Sequence, residues 1–265
     1  MDLIPDNVRE FAESPEAYVS DPTPPEDRIF TEGCCIYVAG SGTQVNVTRV
    51  RTTEAGLDRT IDEVRAIVRA RGIKRALWSV GPSTRPAGLS AQLAARGFFP
   101  GKPPFEHEAE AMVLVSPPPP APAGVEARLV RDLEEYTAAL QIAVEAFEMP
   151  AEDARGWLAA APLLWARQDG VDRMALIALV EGRPAGFAFA AGAPHGLLCG
   201  GSGVRPSERG RGCYRALVSA RSARAVELSR PALVIHAGAM SRPIAARAGF
   251  VALGRIENLE DPALG

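Results

Sequence analysis

The sequence predicts an α/β (α+β) chain built as two mixed-sheet α/β domains in tandem. Three observations carry that prediction. Apolar runs of strand length alternate with helical periodicities, a proline run divides the chain, and the same order of elements recurs on either side of it. The run Ser116-Pro117-Pro118-Pro119-Pro120-Ala121-Pro122-Ala123-Gly124 has no apolar periodicity. Its prolines favour an extended conformation rising about 3.1 Å per residue. The expected division is therefore residues 1–115, a linker at 116–124, and residues 125–265.

In the second part, Val125 to Val130 reads as a strand, and Asp132 caps a helix carrying Leu133, Tyr136, Leu140, Val144 and Phe147. A second helix is expected over Ala151 to Ala166. The apolar runs Met174 to Val180 and Ala185 to Ala190 are joined by Glu181-Gly182-Arg183-Pro184, a hairpin signal. Leu197 to Val204 supplies the next strand, a helix follows from about Arg209 to Ser229, and Leu233 to Ala237 is a short buried strand. Ser241 to Ala248 reads as a short helix, and Gly249-Phe250 is expected to open a closing hairpin. The first part repeats this plan: Val50, a helix with Leu57, Ile61, Val64, Ile67 and Val68 on one face, the strand Ala76 to Val80, Thr84-Arg85-Pro86, a helix, then Arg96-Gly97-Phe98.

Of the 265 residues, 47% are hydrophobic and 23% charged, a globular balance. A net charge of −3 argues against a protein that coats nucleic acid. The start, Met1 to Asp6, has no basic leader or apolar run, and no apolar stretch has bilayer-spanning length. A cytoplasmic protein without nucleic-acid or membrane partners is expected. Cys34, Cys35, Cys199 and Cys213 show no metal-ligand spacing, so no metal site is expected.

The most informative stretch is Val204-Arg205-Pro206-Ser207-Glu208-Arg209-Gly210-Arg211-Gly212-Cys213-Tyr214, a strand that ends in a basic glycine turn and enters a helix. Glycines permit the turn, and the first N–H groups of the helix lack intrahelical partners, so the turn suits an anion such as a pyrophosphate. Arg209-x-x-Gly212, with Val204-x-Pro206 ahead of it, resembles the acetyl-CoA loop of the GNAT superfamily of N-acetyltransferases. The family's pattern ends in Gly or Ala where this chain has Tyr214. The element order from Val125 to about Asn258, and the ending Ser241-x-Pro243…Ala248-Gly249-Phe250, resemble the family as well. The resemblance implies the acyl-CoA N-acyltransferase fold and a direct, ternary-complex transfer of acetyl from acetyl-CoA to a small-molecule or peptide amine. It also implies cofactor contacts from Ser202, Gly203, Val204, Arg209, Gly210, Arg211, Gly212, Cys213 and Tyr214, closest at Gly212. A homodimer stays open.

The first part has Thr52-Thr53-Glu54-Ala55-Gly56-Leu57-Asp58 in place of the arginine loop, and a carboxylate there opposes a pyrophosphate. It reads as a degenerate GNAT-like half without a cofactor site. The strand Leu198-Cys199-Gly200-Gly201-Ser202-Gly203-Val204 holds three glycines, which fits either a close ligand or a bulge. The position where family members often carry a tyrosine acid is Ala245. The candidates for proton handling are His236 and Ser241. For His236 the competing reading is a core histidine satisfied by a carbonyl, and for Ser241 a helix cap. Tyr214 and a Cys213 thiol lowered by Arg211 and the helix end are weaker candidates, and Glu145 and Glu148 either line an acceptor site or form a solvated helix end. Trp157 and Trp165 either pack on the sheet or roof an acceptor cleft. A non-catalytic acyl-CoA-binding or regulatory module is the alternative function.

Overall fold

The computed structural model describes residues 4–19, 28–38, 44–101, 107–230 and 232–264; Met1–Leu3, the start of the terminus read above, lie outside them. The chain before the linker forms α1 (Asp6–Glu13), β1 (Arg28–Phe30), β2 (Cys35–Val38), β3 (Val45–Thr48), α2 (Leu57–Ala70), β4 (Ala76–Val80), α3 (Leu89–Ala94), β5 (Phe99–Pro100) and β6 (Glu108–Leu114). After it come β7 (Val125–Leu129), α4 (Leu133–Ala146), α5 (Ala151–Ala159), α6 (Ala161–Trp165), β8 (Arg173–Val180), β9 (Arg183–Ala193) and β10 (Gly196–Val204). The chain ends in α7 (Cys213–Glu227), β11 (Ala232–Ala237), α8 (Arg242–Arg247) and β12 (Val251–Glu260).

All the described strands belong to one mixed sheet, ordered β1-β2-β3-β4-β12-β6-β11-β10-β9-β8-β7, with β5 against β12. Two pairs are parallel, β3 with β4 and β10 with β11. The two parts exchange their last strands. β12 sets Leu259 opposite Trp78 of β4, and β6 sets Met112 opposite Ile235 of β11. Gly249-Phe250 therefore opens one long strand instead of the expected hairpin, because β4 and β6 each offer β12 a ladder that a hairpin partner would otherwise supply.

Strand alternation sends Leu233 and Ala237 toward α7 and Ala232 and Val234 toward α1. On the face shared by α1 and α4, Phe187 and Ile177 pack under Tyr136, Leu140 and Ala143. A separate cluster under α2 and α3 is centred on Trp78, which meets Phe98 edge-on at 5.7 Å. The single helix expected over 151–166 is two, broken at Ala160, with Pro162 in the first turn of α6. The helix after the glycine loop begins at Cys213 and not Arg209, because Gly210 and Gly212 have φ of +81° and +88°.

The start of α4 is tied electrostatically. Asp132 accepts from the Glu135 N–H at 2.9 Å, while the Glu135 carboxylate accepts from Arg131 N–H and from two Arg128 N–H groups at 2.8 and 2.7 Å. The Arg128 bonds hold the Glu135 pKa down to about 2, against 4.5 for an ordinary glutamate. A depressed folded-state pKa means that the contribution is full above about pH 4.5 and is lost as pH falls toward 2. Glu135→Gln should thus lower stability by about 1 kcal/mol at pH 7, the scale of a partly solvated pair. Urea midpoints of the variant and the parent chain should converge as pH falls through that window.

Candidate active site

The β10–β11 ladder is short. Gly196, Leu197 and Leu198 pair with Ala232, Leu233 and Val234, and the register goes no further. Beyond it, β10 bulges against β9 between Cys199 and Ser202, while β11 stays paired to β6 out to Ala237. The facing edges of Cys199–Val204 and Ile235–Ala237 therefore splay apart. Arg221 of α7, only 1% exposed, braces the bulge from below. It donates to Phe189 O at 2.6 Å, Gly200 O at 3.2 Å and Ser202 Oγ at 2.9 Å. Burial pushes the nearby Cys199 thiol upward, a shift that Arg221 partly opposes.

The bulge reading of the β10 glycines is met at two of them, and packing accounts for the third. A Cβ on Gly203 would lie 2.6 Å from Ala146 Cβ and from Phe187 Cε1, so that glycine is required by packing under α4. Gly200 and Gly201 lie within the bulge. The first part shows what a closed counterpart looks like. After Val47 pairs with Trp78, Arg85 N donates to Val50 O and Thr52 N to Arg85 O, so the backbone bridges the corresponding gap. Glu13 of α1 accepts from Ser83 N at 2.9 and 3.1 Å beside it.

At the head of α7, Arg209 is exposed and, among the described residues, makes only a long 3.5 Å contact to Ala146 O, so its guanidinium can turn to an incoming anion. Arg211 is already paired with Glu208 at 3.0 Å and Glu181 at 3.2 Å. Gly210 is open, with nothing within 4 Å of a built Cβ. The expectation of closest ligand approach at Gly212 meets a different neighbour: a Cβ there would lie 2.5 Å from Pro122 Cγ, so the proline linker is what crowds this glycine. Cys213 does not carry a lowered pKa. It is buried against the core, and desolvation raises it. Burial likewise raises Tyr214, which packs into the α7-side core.

Ser202, Gly203 and Val204 on β10 and Arg209 to Tyr214 are thus one continuous run from the lip of the splay to the helix head. His236 sits on the opposite strand but faces α1, where its Nε2 lies 2.9 Å from Ala12 O. A carbonyl can only accept, so Nε2 carries the hydrogen and Nδ1 is left as the basic nitrogen. Ser241 stands at the start of α8 yet caps no helix N–H; its Oγ makes a long 3.4 Å bond to Gly238 O. Ala245 is fully buried in the α7-side core. Glu145 pairs with Arg205 at 3.4 Å, and Glu148 closes α4 with φ of +50°.

Local sequence reading did not find the cavity on the α1/α4 face, about 510 Å³, which reaches Gly200 at the bulge. Its walls come from both parts of the chain, Glu16 and Asn46 from the first and Tyr136, Trp157, Gln168 and Phe189 from the second. Trp157 lines it, whereas Trp165 packs on Tyr136 with ring centres 5.7 Å apart. Among the described residues no cluster of His, Cys, Asp or Glu is arranged to hold a metal, and no helix is long and apolar enough to cross a membrane.

A splayed parallel pair at the centre of a mixed sheet, with a glycine turn running into a helix at its lip, defines the GNAT N-acetyltransferase fold, here in tandem. The solved structures that it resembles bear this out. A GCN5-related N-acetyltransferase from Kribbella flavida matches with a TM-score of 0.66 at 20% identity, over 89% of each chain. A GCN5-related N-acetyltransferase from Sphaerobacter thermophilus matches with 0.58 at 17%, over 97% of this chain and 91% of that one. A tandem GNAT protein from the clavulanic acid biosynthesis pathway matches with 0.57 at 17%, over 97% and 88%. No family model matches the sequence, and a search of curated proteins finds no match.

The loop geometry separates its two glycines. Gly210→Ala meets open space and should cost only the left-handed backbone penalty of about 1 kcal/mol. Gly212→Ala adds overlap with Pro122 and should cost about 2 to 3 kcal/mol. Urea denaturation of the two variants measures the difference, and equal losses would mean that Pro122 does not crowd the loop.

Proposed function

We propose that the chain is an acetyl-CoA-dependent N-acetyltransferase that moves the acetyl group directly to an amine in a ternary complex. The observation that carries this reading is the splay of β10 from β11, open at one end to the Arg209–Tyr214 turn and bordered by a cavity at the other. The pyrophosphate would lie on the N–H groups at the head of α7 with Arg209 beside it, where helix-terminal donors and a free cation suit an anion. Backbone N–H groups of β10 on the edge that has left β11 would hold the thioester carbonyl and then the oxyanion that develops on it. An amine in the cavity attacks that carbonyl, the C–N bond forms, and the C–S bond breaks to release CoA as the thiolate.

On this reading residues 125–265 form the acetyltransferase domain, 116–124 the linker, and 1–115 a GNAT-like half without a cofactor site of its own. The closed β3–β4 gap supports the last point. Titration calorimetry of the full chain with acetyl-CoA should give a stoichiometry near one, and a value near two would overturn the assignment. A non-catalytic acyl-CoA-binding module is the second reading, favoured by the buried alanine at position 245. Amine-dependent release of free CoA thiol separates them.

Proton handling follows from the same residues. Tyr214 is raised by burial and stays protonated throughout the neutral range, so it is no base. His236 Nδ1 or water takes the proton from the amine. Turnover should rise with pH toward the amine's own pKa, without a descending limb near 10 such as an essential phenol acid imposes. Tyr214→Phe should reduce kcat by less than about tenfold, and His236→Gln by about ten- to a hundredfold. A loss beyond about a thousandfold in Tyr214→Phe, with acetyl-CoA affinity intact, would assign the acid to Tyr214.

A further inference from the structure

Arg221 is a buried cation that no anion answers. It is 1% exposed, and among the described residues its bonds go to neutral acceptors alone: Phe189 O at 2.6 Å, Gly200 O at 3.2 Å and Ser202 Oγ at 2.9 Å. All three bonds come from Nη2, while its buried Nε has no partner among those residues. Cys199 and Tyr214 are titratable groups beside it, and neither supplies a counter-charge. Burial raises both above their ordinary values, against the pull of Arg221, so both stay neutral in the neutral range. A guanidinium held this way is costly, and an apolar side chain would fill the space without that cost. Its contacts show where the charge acts.

They close on one peptide unit. Gly200 O accepts from Arg221 Nη2 and, at 3.3 Å, from the Ser202 hydroxyl, which itself accepts from Arg221. This ring of three groups fixes the Gly200 carbonyl toward α7. In a trans peptide the following N–H points the opposite way, so the Gly201 N–H is directed away from Arg221. Neither neighbouring strand claims that N–H by register: β9 pairs with Cys199 and next with Ser202, and β11 stops at Leu198. Gly200 borders the cavity on the α1/α4 face, and the Phe147 ring lies 3.6 Å from a Cβ built on Gly201. Hydrogen bonds in series polarise one another, the more so where water is scarce. A cation on this carbonyl therefore makes the N–H of the same peptide a stronger donor.

Resting on the N-acetyltransferase reading, we infer that Arg221 is a positioning residue for acyl transfer. Bonded to Gly200 O and Ser202 Oγ, it fixes and polarises the Gly200–Gly201 peptide, so that the Gly201 N–H receives the thioester carbonyl and the oxyanion that forms from it. Arg221 itself touches neither substrate. The Ser202 hydroxyl is engaged in the brace, and what that residue offers a ligand is its main chain.

The test is infrared difference spectroscopy of the full chain with acetyl-CoA labelled at the thioester carbonyl carbon. Beside it runs titration calorimetry with acetyl-CoA and with CoA, which lacks that carbonyl. In the parent chain the carbonyl stretch should fall below that of free acetyl-CoA. Arg221→Met, uncharged and unbranched, should lose about half of that shift or more and keep its CoA affinity within about threefold, whereas Arg221→Lys should retain most of the shift. If Arg221→Met does not fold, Ser202→Ala opens the ring and replaces it, with a loss of about a quarter of the shift expected. A residue that only held the strand together would weaken acetyl-CoA and CoA alike and leave the stretch of the bound thioester as it was, and that result overturns the inference. So does a parent chain without a shift, a full shift in Arg221→Met or in the serine variant that stands in for it, or no shift in Arg221→Lys. An Arg221-dependent shift with no thiol released to a mixture of primary amines would keep the inference and overturn the enzymatic reading. Thiol release at the parent's kcat in Arg221→Met would do the reverse.

Discussion

Burying a guanidinium is unfavourable unless its N–H groups are met, and Arg221 meets part of that requirement through one terminal nitrogen at the β9–β10 bulge, while its Nε has no partner among the described residues. None of its three partners is a carboxylate. Two are backbone carbonyls of β9 and β10, and the third is a hydroxyl on β10. The bond set works in both directions. The bulge turns carbonyls toward α7 that would otherwise enter a ladder, and the arginine makes that turn stable by receiving them. With the bulge fixed, β10 cannot follow β11 past Leu198, and the splay on which the proposed chemistry depends is a consequence.

The exchange of last strands extends the same constraint across the molecule. Because β12 lies between β4 and β6 and also pairs β5, and β6 lies against β11, the first part cannot separate from the second without breaking four ladders. α1 is thereby held over the centre of the sheet, where Ala12 receives His236 and Glu13 reaches the loop after β4. The 3₁₀ turn that brings Glu16 to the cavity follows directly. Asp261, just beyond β12, accepts two bonds from Arg65 of α2 at 2.9 Å, tying the chain's end to the first part a second time.

The features legible in the sequence are those with a local cause. Gly210 and Gly212 have positive φ, the prolines of 116–124 leave the connection without regular structure, and Asp132 caps α4 through a neighbour three residues away. Features with a distant cause were not legible. That Pro122 crowds Gly212, that β12 crosses into the first part, and that Glu16 and Gln168 line one cavity all join residues separated by most of a domain or more. His236 falls between these cases. Its strand was readable from the apolar run around it, but the face it presents is set by α1, more than two hundred residues earlier, so the choice between base and satisfied core residue could not be made from its neighbours.

The contrast between the two parts shows which physical effect separates them. In sequence the conspicuous difference is Asp58, whose charge opposes a pyrophosphate. In the structure Asp58 is exposed and bonded to Arg96 at 2.6 Å, which lowers its pKa and offsets its charge, so repulsion from it is screened and weak. The bridge of Arg85 to Val50 and Thr52 is the stronger obstacle, because a ligand entering between β3 and β4 would have to replace backbone hydrogen bonds already made. Removing the carboxylate would leave that bridge intact. The unequal roles proposed for the two parts therefore rest on the backbone more than on charge: one parallel pair is held open by a bulge and a buried arginine, and the other is closed by its own chain.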